Sequence, residues 1–376
     1  MNTTLARTAA TAVLAAATVV AGGSLSPAAA ASYQPSPTAG WVPNGTVYAM
    51  ARSGSTVYLG GDFTSLTNPA TGQSVARSHL AAVDAGTGAP ASWNPGANGT
   101  VRALAVGSNS TVYAGGTFTS AAGADASRLA AITPTGRAVS GWKATANGTV
   151  NAILTDSTGV YAAGAFSTVN AVARAKLARL APATGTVDTA FNARVAGGSV
   201  LALAKSGANM LLGGSFTTLS GTARTFSGSV ALGTGAVTSW APASQCSTCT
   251  VLSLITDGTR AYQGIAGPGG RVIAVSLGSG SRTWTKSGDG DVQALAVYGG
   301  VLYAGGHFTS FAGSARRQLV ALSASTGAVQ DYALAFTGSD GPGIWAVSAD
   351  SAALRIAGGF QLAGSPIARY AAFRTA

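Results

Sequence analysis

Arginine is the residue type whose placement in this chain most invites chemistry. Arg77, Arg174, Arg224 and Arg316 each stand three residues before the reference position of a recurring short strand, typified by Leu129 in RLAAIT. Arg128, Arg271 and Arg369 stand one residue before it. Offsets of three and one differ by two, so on an extended strand all of these side chains share one side. Guanidinium groups gathered on one rim would attract carboxylate, phosphate or sulfate groups through bidentate pairing. The competing reading makes each arginine a structural cap on a neighbouring sheet or on a backbone carbonyl. Sequence leaves both open.

The remaining reactive residues are few. Cys246 and Cys249 are the only cysteines, too few for a four-cysteine zinc site and without a nearby histidine, so a short-loop disulfide is expected. A redox pair would need a strand–helix setting that the surrounding residues lack. Asp289 and Asp291 form the one close acidic pair and could hold calcium weakly, although their spacing completes no loop motif. All 11 acidic residues are Asp, so a two-carboxylate glycosidase site could arise only by long-range assembly. His79 and His307 lie in different repeats and read as strand or surface residues rather than bases. Asn-Gly-Thr at Asn44, Asn98 and Asn147, and Asn-Ser-Thr at Asn109, match glycosylation acceptors, but recurrence at equivalent places explains the first three as turn formers. The glycine runs lack the Lys and helix start of a phosphate loop. Dispersed basic residues also argue against nucleic acid.

The elements that must position these residues come from a repeat. Runs like VYAGGTFTS recur at Val57–Ser65, Val112–Ser120, Val160–Thr168, Met210–Thr218 and Leu302–Ser310, with eroded copies at Ala261–Gly267 and Arg355–Gly364. A period of roughly 50 residues marks units that cannot bury their apolar faces alone. Within one unit, Thr100–Trp142, turn signals divide the chain into four short strands of an antiparallel sheet. The apolar runs are nearly continuous, which suits strands packed on both faces, as in propeller blades. Small residues dominate the first two strands. Large rings mark the fourth: Trp93, Trp142, Phe191, Trp240, Trp284 and Tyr332, where blades would diverge.

The last unit, ending ARYAAFRTA, lacks a fourth strand, and the stretch around Trp41 resembles a spare one. The expected fold is therefore all-β: a seven-bladed β-propeller of four-stranded antiparallel blades, closed by the N-terminal strand completing the C-terminal blade. A linear solenoid would need capping units instead. Residues 1–31 read as a signal peptide, with Arg7, an apolar stretch from Ala9 to about Ala21, and small residues before cleavage at Ala30 or Ala31. Residues 32–376 form the propeller domain, expected to be secreted with no membrane insertion. Charged residues make up only 9%, against about 25% in ordinary domains, and the net charge of +11 favours anionic partners.

The segment ARAKLARLAPATGTVDTAFNARVAGGSVLALAKSGANMLLGGSFTTLSG, residues Ala173–Gly221, resembles the delta-sixty repeat of secreted and surface bacterial proteins. That resemblance implies a β-propeller and export. It implies no reaction, because no catalytic residue set goes with the repeat. The expected function is a secreted binding or interaction module that contacts an anionic glycan, a cell-wall polymer or a protein through the arginine-bearing face, with no cofactor. The alternative is a polysaccharide lyase or hydrolase with its site on the same face.

Overall fold

The computed structural model describes residues 32–38, 40–243, 247–337 and 341–376; the expected leader and Cys246 lie outside them. A short turn joins the first two antiparallel strands of each repeat, and in sheets A, B, C and F a longer connection carrying a small hairpin, such as Ser120–Ala121 with Ala124–Asp125, leads to the third. Sheet A contains Val47–Ser53, Thr56–Gly61 and Leu80–Asp84; sheet B contains Val101–Val106, Val112–Gly116 and Leu129–Ile132. Sheet C contains Val150–Thr155, Val160–Gly164 and Leu177–Leu180, and sheet D contains Val195–Ser206, Asn209–Leu219 and Ser227–Ala231. Sheet E contains Thr250–Thr256, Arg260–Ala266, Arg271–Ser276 and Arg282–Ser287. Sheet F contains Val292–Tyr298, Val301–Gly306 and Leu319–Ser323, and sheet G contains Ile344–Ala349, Ala353–Leu362 and Ala368–Arg374. The described residues form no helix, and none is long and apolar enough to cross a membrane. The protein is all-β.

The first strands lie side by side in sequence order, A against B through to F against G, and the first strand of G also lies beside that of A. What lets them approach is a glycine pair in the second strands of sheets A, B, D and F. A Cβ built on Gly60 would lie 2.6 Å from Val101 Cγ1, and one on Gly115 would lie 2.5 Å from Val150 Cγ1. Gly213 meets Val251 and Gly305 meets Ile344 in the same way. A β-branched side chain from sheets B, C, E and G thus fills the space that the preceding sheet leaves empty. The second glycine of the pair (Gly61, Gly116, Gly164, Gly214 or Gly306) faces a backbone carbonyl of its own sheet's first strand or the crossing before it, such as Thr46 or Thr100.

The fourth segment behaves differently from the expected full strand. Only in sheet E does it pair along its length. In sheets A, B, C, D and F it touches the third strand through one bridge, as at Val83–Pro90 and Ile132–Ala138. The chain then leaves the ladder, and in sheets A, B, C and F its aromatic residue packs against the second-strand tyrosine. Trp93 packs edge-on against Tyr58, with centroids 5.0 Å apart, and its Nε1 donates to Thr133 O at 3.0 Å. Trp284 and Tyr262 form a similar pair, and both donate to Ala324 O of sheet F.

At the seam between G and A, Tyr33 bridges to Thr375 and Gln34 N donates to Arg374 O at 2.8 Å. The Tyr33 ring lies against Tyr303 and Tyr332 of sheet F, and its hydroxyl donates to Asp350 O at 2.7 Å. The Asp350 carboxylate joins Arg52 of sheet A at 2.7 Å and the buried Arg355 of sheet G at 2.9 Å. Thr38 N donates to Ala372 O of sheet G at 2.7 Å, and Trp41 packs against a cluster drawn from sheets A and G, with its amide donating to Gly88 O.

Gly115→Val should destabilise the chain by about 1–3 kcal/mol through overpacking against Val150, measured by denaturant unfolding. Full stability in that variant would show that the valine insertion does not set the sheet spacing.

Candidate functional site

The arginines singled out by sequence are placed as ties between strands. Arg77, Arg174, Arg224 and Arg316 each donate to the carbonyl of the preceding residue. Arg77 also reaches Ala91 O at 2.8 Å, Arg174 reaches Asp188 O and Thr189 O, and Arg224 reaches Thr238 O at 2.9 Å. These bonds fasten the hairpin after the second strand to the segment after the third. Arg128 donates to Ala146 O at 2.9 Å and Arg369 to Pro43 O at 3.2 Å, each carbonyl standing just before an Asn-Gly pair. Arg271 bonds its own turn at Pro268 O and Gly269 O. All of these arginines are buried or half-buried. The shared-side argument does not extend to Arg128 and Arg369. Their φ values of 68° and 63° are left-handed, so offsets counted along an extended strand do not apply there.

The Asn-Gly crossings do more than turn the chain. Asn98 Oδ1 accepts from Thr119 N and Ser120 N at 2.8 and 2.9 Å, while its Nδ2 donates to Thr119 Oγ1 at 2.8 Å. Asn44 clamps Thr64 and Ser65 identically, and Asn147 clamps Ser167 and Thr168. Asp289 fills the same place before sheet F, accepting from Thr309 N, Ser310 N and the Thr309 hydroxyl. Burial raises its pKa, but these hydrogen bonds outweigh it and hold the carboxyl at about 2. Asp291 Oδ1 accepts from Gly267 N at 3.3 Å. Among the described residues no three His, Cys, Asp or Glu side chains converge as metal ligands. His79 contacts Gly61 O through Nδ1, and His307 is exposed. Cys249 is disulfide-bonded, whereas Cys246 lies outside the described residues.

A different set of residues converges at the centre. Every first strand carries one extra residue where its register shifts against the second: Tyr48, Arg102, Asn151, Leu201, Leu252, Gln293 and Trp345. A bulge re-aims one side chain away from the ladder. Here the bulged residues meet about the axis: Leu201 of sheet D, Leu252 of sheet E and Trp345 of sheet G pack in one cluster, although sheet G adjoins neither D nor E. Tyr48 packs edge-on against Trp345 at 5.5 Å, and Arg102 lies over the Tyr48 ring at 5.5 Å. The Tyr48 hydroxyl donates to Asp62 Oδ2 at 3.4 Å. Burial and the Asp62 carboxylate push this phenol up, with Arg102 pulling it back, so it stays a neutral donor. With its amide nitrogen turned toward them, Gln293 donates to Pro342 O and Ile344 O at 3.1 and 3.3 Å.

Tyr48 and Arg102 are half-buried, whereas the other members of this axial ring are buried. Sequence reasoning passed over the ring, yet it left a signal. Each member is the variable residue between a β-branched position and Ala or Ser, as in Val47-Tyr48-Ala49, Val150-Asn151-Ala152 and Ile344-Trp345-Ala346. The flanking positions hardly vary among the repeats, while the middle one takes six residue types.

Asp289→Asn gives a signed pH test. A depressed carboxyl contributes stability in full above its unfolded value near 3.9 and loses it as pH falls through the folded value. The substitution should therefore flatten the loss of stability between about pH 4 and about pH 2, read by unfolding at a series of pH values. An unchanged acid limb would show that the clamp contributes nothing.

Residues 159–191 match a family described as "Domain of unknown function (DUF5122) beta-propeller". No curated protein matches the chain by sequence. Among solved structures, the WD40 beta propeller domain of Doa1 is similar with a TM-score of 0.58 at 10% identity, covering 91% of this chain and 96% of that one. The computationally designed Ika8 protein is similar with a TM-score of 0.56 at 15% identity, covering 90% of this chain and all of that one. At such identities the likeness speaks for fold alone, and it agrees with the sheet arrangement: the chain has the fold of a β-propeller.

Proposed function

We propose that this chain is a secreted, seven-bladed propeller closed at the Tyr33–Thr375 seam, and that it works as a binding module. Its contact surface is the face where the first strands begin, centred on the axial ring. The observation that carries this reading is the break in symmetry at the axis: the bulged position takes six residue types between flanking positions that hardly vary among the repeats. A symmetric scaffold has no packing need for Arg, Asn, Gln, Tyr and Trp in equivalent places, whereas an unsymmetrical ligand does. Tyr48, Arg102 and Asp62 supply the solvent-facing part, combining an aromatic ring with a cation and an anion. The partner is a polar polymer of the cell envelope, in keeping with an exported chain of strong positive charge. The arginines at 77, 174, 224 and 316 support that surface from below by tying strands together.

Tyr48→Ala and Arg102→Ala should each weaken retention on purified envelope polymers by about tenfold, the scale of one or two lost contacts. Arg174→Ser should lower thermal stability and leave retention by the folded fraction unchanged. Retention that survives both axial substitutions and disappears with Arg174→Ser in a folded chain would move the contact surface to the arginines.

A further inference from the structure

Charge is handled differently at the two ends of the sheets. Among the described residues, the ion pairs lie where first and third strands end. Asp350 holds Arg52 and Arg355, Asp156 holds Lys205, Asp188 holds Arg179, and Asp257 holds Arg260. The opposite face, where the first strands begin, carries Asp62, Asp125, Asp289 and Asp291. Asp289 is committed to its clamp. The arginines at the third strands, with Lys176 and Arg194, outnumber these acids. None of those cations is joined to a carboxylate among the described residues.

The cations of this face are of two kinds. Arg77, Arg174 and Arg224 each give both terminal nitrogens to backbone carbonyls and bury Nε. The edge that arginine offers a carboxylate or phosphate is thereby taken. A carbonyl is neutral, however, so the positive charge stays uncompensated and adds to the field of the face. Arg194 and Lys176 are the second kind. Arg194 is exposed just before the first strand of sheet D, and Lys176 is half-buried just before the third strand of sheet C. Neither side chain bonds to another group among the described residues. Their φ values of 44° and 64° are left-handed, where glycine or asparagine would be the easier choice. We propose that this face docks a linear polyanion of the envelope, a polymer with one oxyanion on each unit, drawn by the field of the rim and touched by Arg194 and Lys176. The proposal rests on the binding reading above and narrows its polar polymer to a charged one. A field of fixed charges selects by charge spacing, so phosphate and carboxylate polymers of equal charge density are held alike and a neutral one is not. Removing one tie arginine, as in Arg174→Ser, leaves most of that field in place.

The test is retention of the purified full chain on immobilised polyphosphate, polyglutamate and, as the uncharged arm, dextran. Both polyanions should retain the chain at about 50 mM salt and lose about tenfold or more in affinity at about 200 mM, because bound counterions are released on docking. Dextran should not retain it. Arg194→Glu and Arg137→Glu change the net charge equally, but Arg137 is exposed in the turn after the third strand of sheet B, at the other end. Arg194→Glu should weaken retention on both polyanions about tenfold, and Arg137→Glu less than about twofold. Circular dichroism checks folding, and Lys176→Glu takes the place of Arg194→Glu if the latter does not fold. Equal losses from Arg194→Glu and Arg137→Glu overturn the assignment to this face. Retention on dextran, on one polyanion alone or on neither overturns the polyanion, while loss of envelope retention in Tyr48→Ala would keep the contact surface standing. Envelope retention indifferent to Tyr48, Arg102 and Arg194 sinks both readings.

Discussion

The structure depends on one contact repeated around the molecule: a β-branched side chain from one sheet entering the gap above a glycine of the sheet before it. Val101 over Gly60, Val150 over Gly115, Val251 over Gly213 and Ile344 over Gly305 are instances. Each fully buried valine contributes about 1.5–3 kcal/mol by leaving water, but its larger effect is geometric. It fixes how near two first strands can come, and hence how narrow the centre is. The second glycine of each pair fixes the other dimension, because only a residue without Cβ lets the crossing carbonyl lie against the strand. Sheet E departs from this rule with Ile265 at the second place, and there the ladder runs on to pair Thr250 with Ala266. Removing the close carbonyl removes the need for glycine.

Around that contact the polar groups are arranged to leave few backbone atoms unpaired. The Asn-Gly clamps satisfy the amides where the second strand leaves the sheet, and the arginines satisfy carbonyls where the third strand begins and ends. Arg128 and Arg369 connect the two systems, since each donates to the carbonyl just before a clamp asparagine. Asp289 shows that the clamp needs an acceptor for two amides rather than an amide as such. Where Asn98 donates to a hydroxyl, Asp289 receives one, and the hydroxyl rotates to suit.

Much of this was legible in the sequence. The glycine pairs, the period, the ring of large aromatics and the spare N-terminal stretch all announced sheets stacked about an axis. The aromatic residues were read as outer packing, and Trp93, Phe191 and Trp240 are buried. What spacing could not show was the effect of left-handed residues at the start of the third strand. Arg128 breaks the two-residue alternation on which the common arginine face was built. Nor could an alternation rule find the axial ring, because a bulge inserts a residue that belongs to neither face. Tyr48 and Trp345 look like ordinary strand residues until the register shift beside them is known. The fourth strands were overread for a related reason: Trp93 and its counterparts gain more by reaching across to the next sheet than by continuing a ladder.

The axial ring differs from the packing positions around it in how freely its residues can change. The packing positions around it vary little because most sheets meet their neighbours through the same contact, and a change in one would propagate to both sides. The bulged residue escapes that coupling. It lies outside the ladder and outside the valine–glycine contact, so its identity can change without disturbing the spacing of the sheets. The axis is therefore a place where each repeat can contribute independently. A site built there has its side chains fixed by short strands rather than by loops, which lowers the ordering cost of binding. The amides that occupy it carry a desolvation cost that leucine would avoid, which Gln293 offsets by donating to two backbone carbonyls.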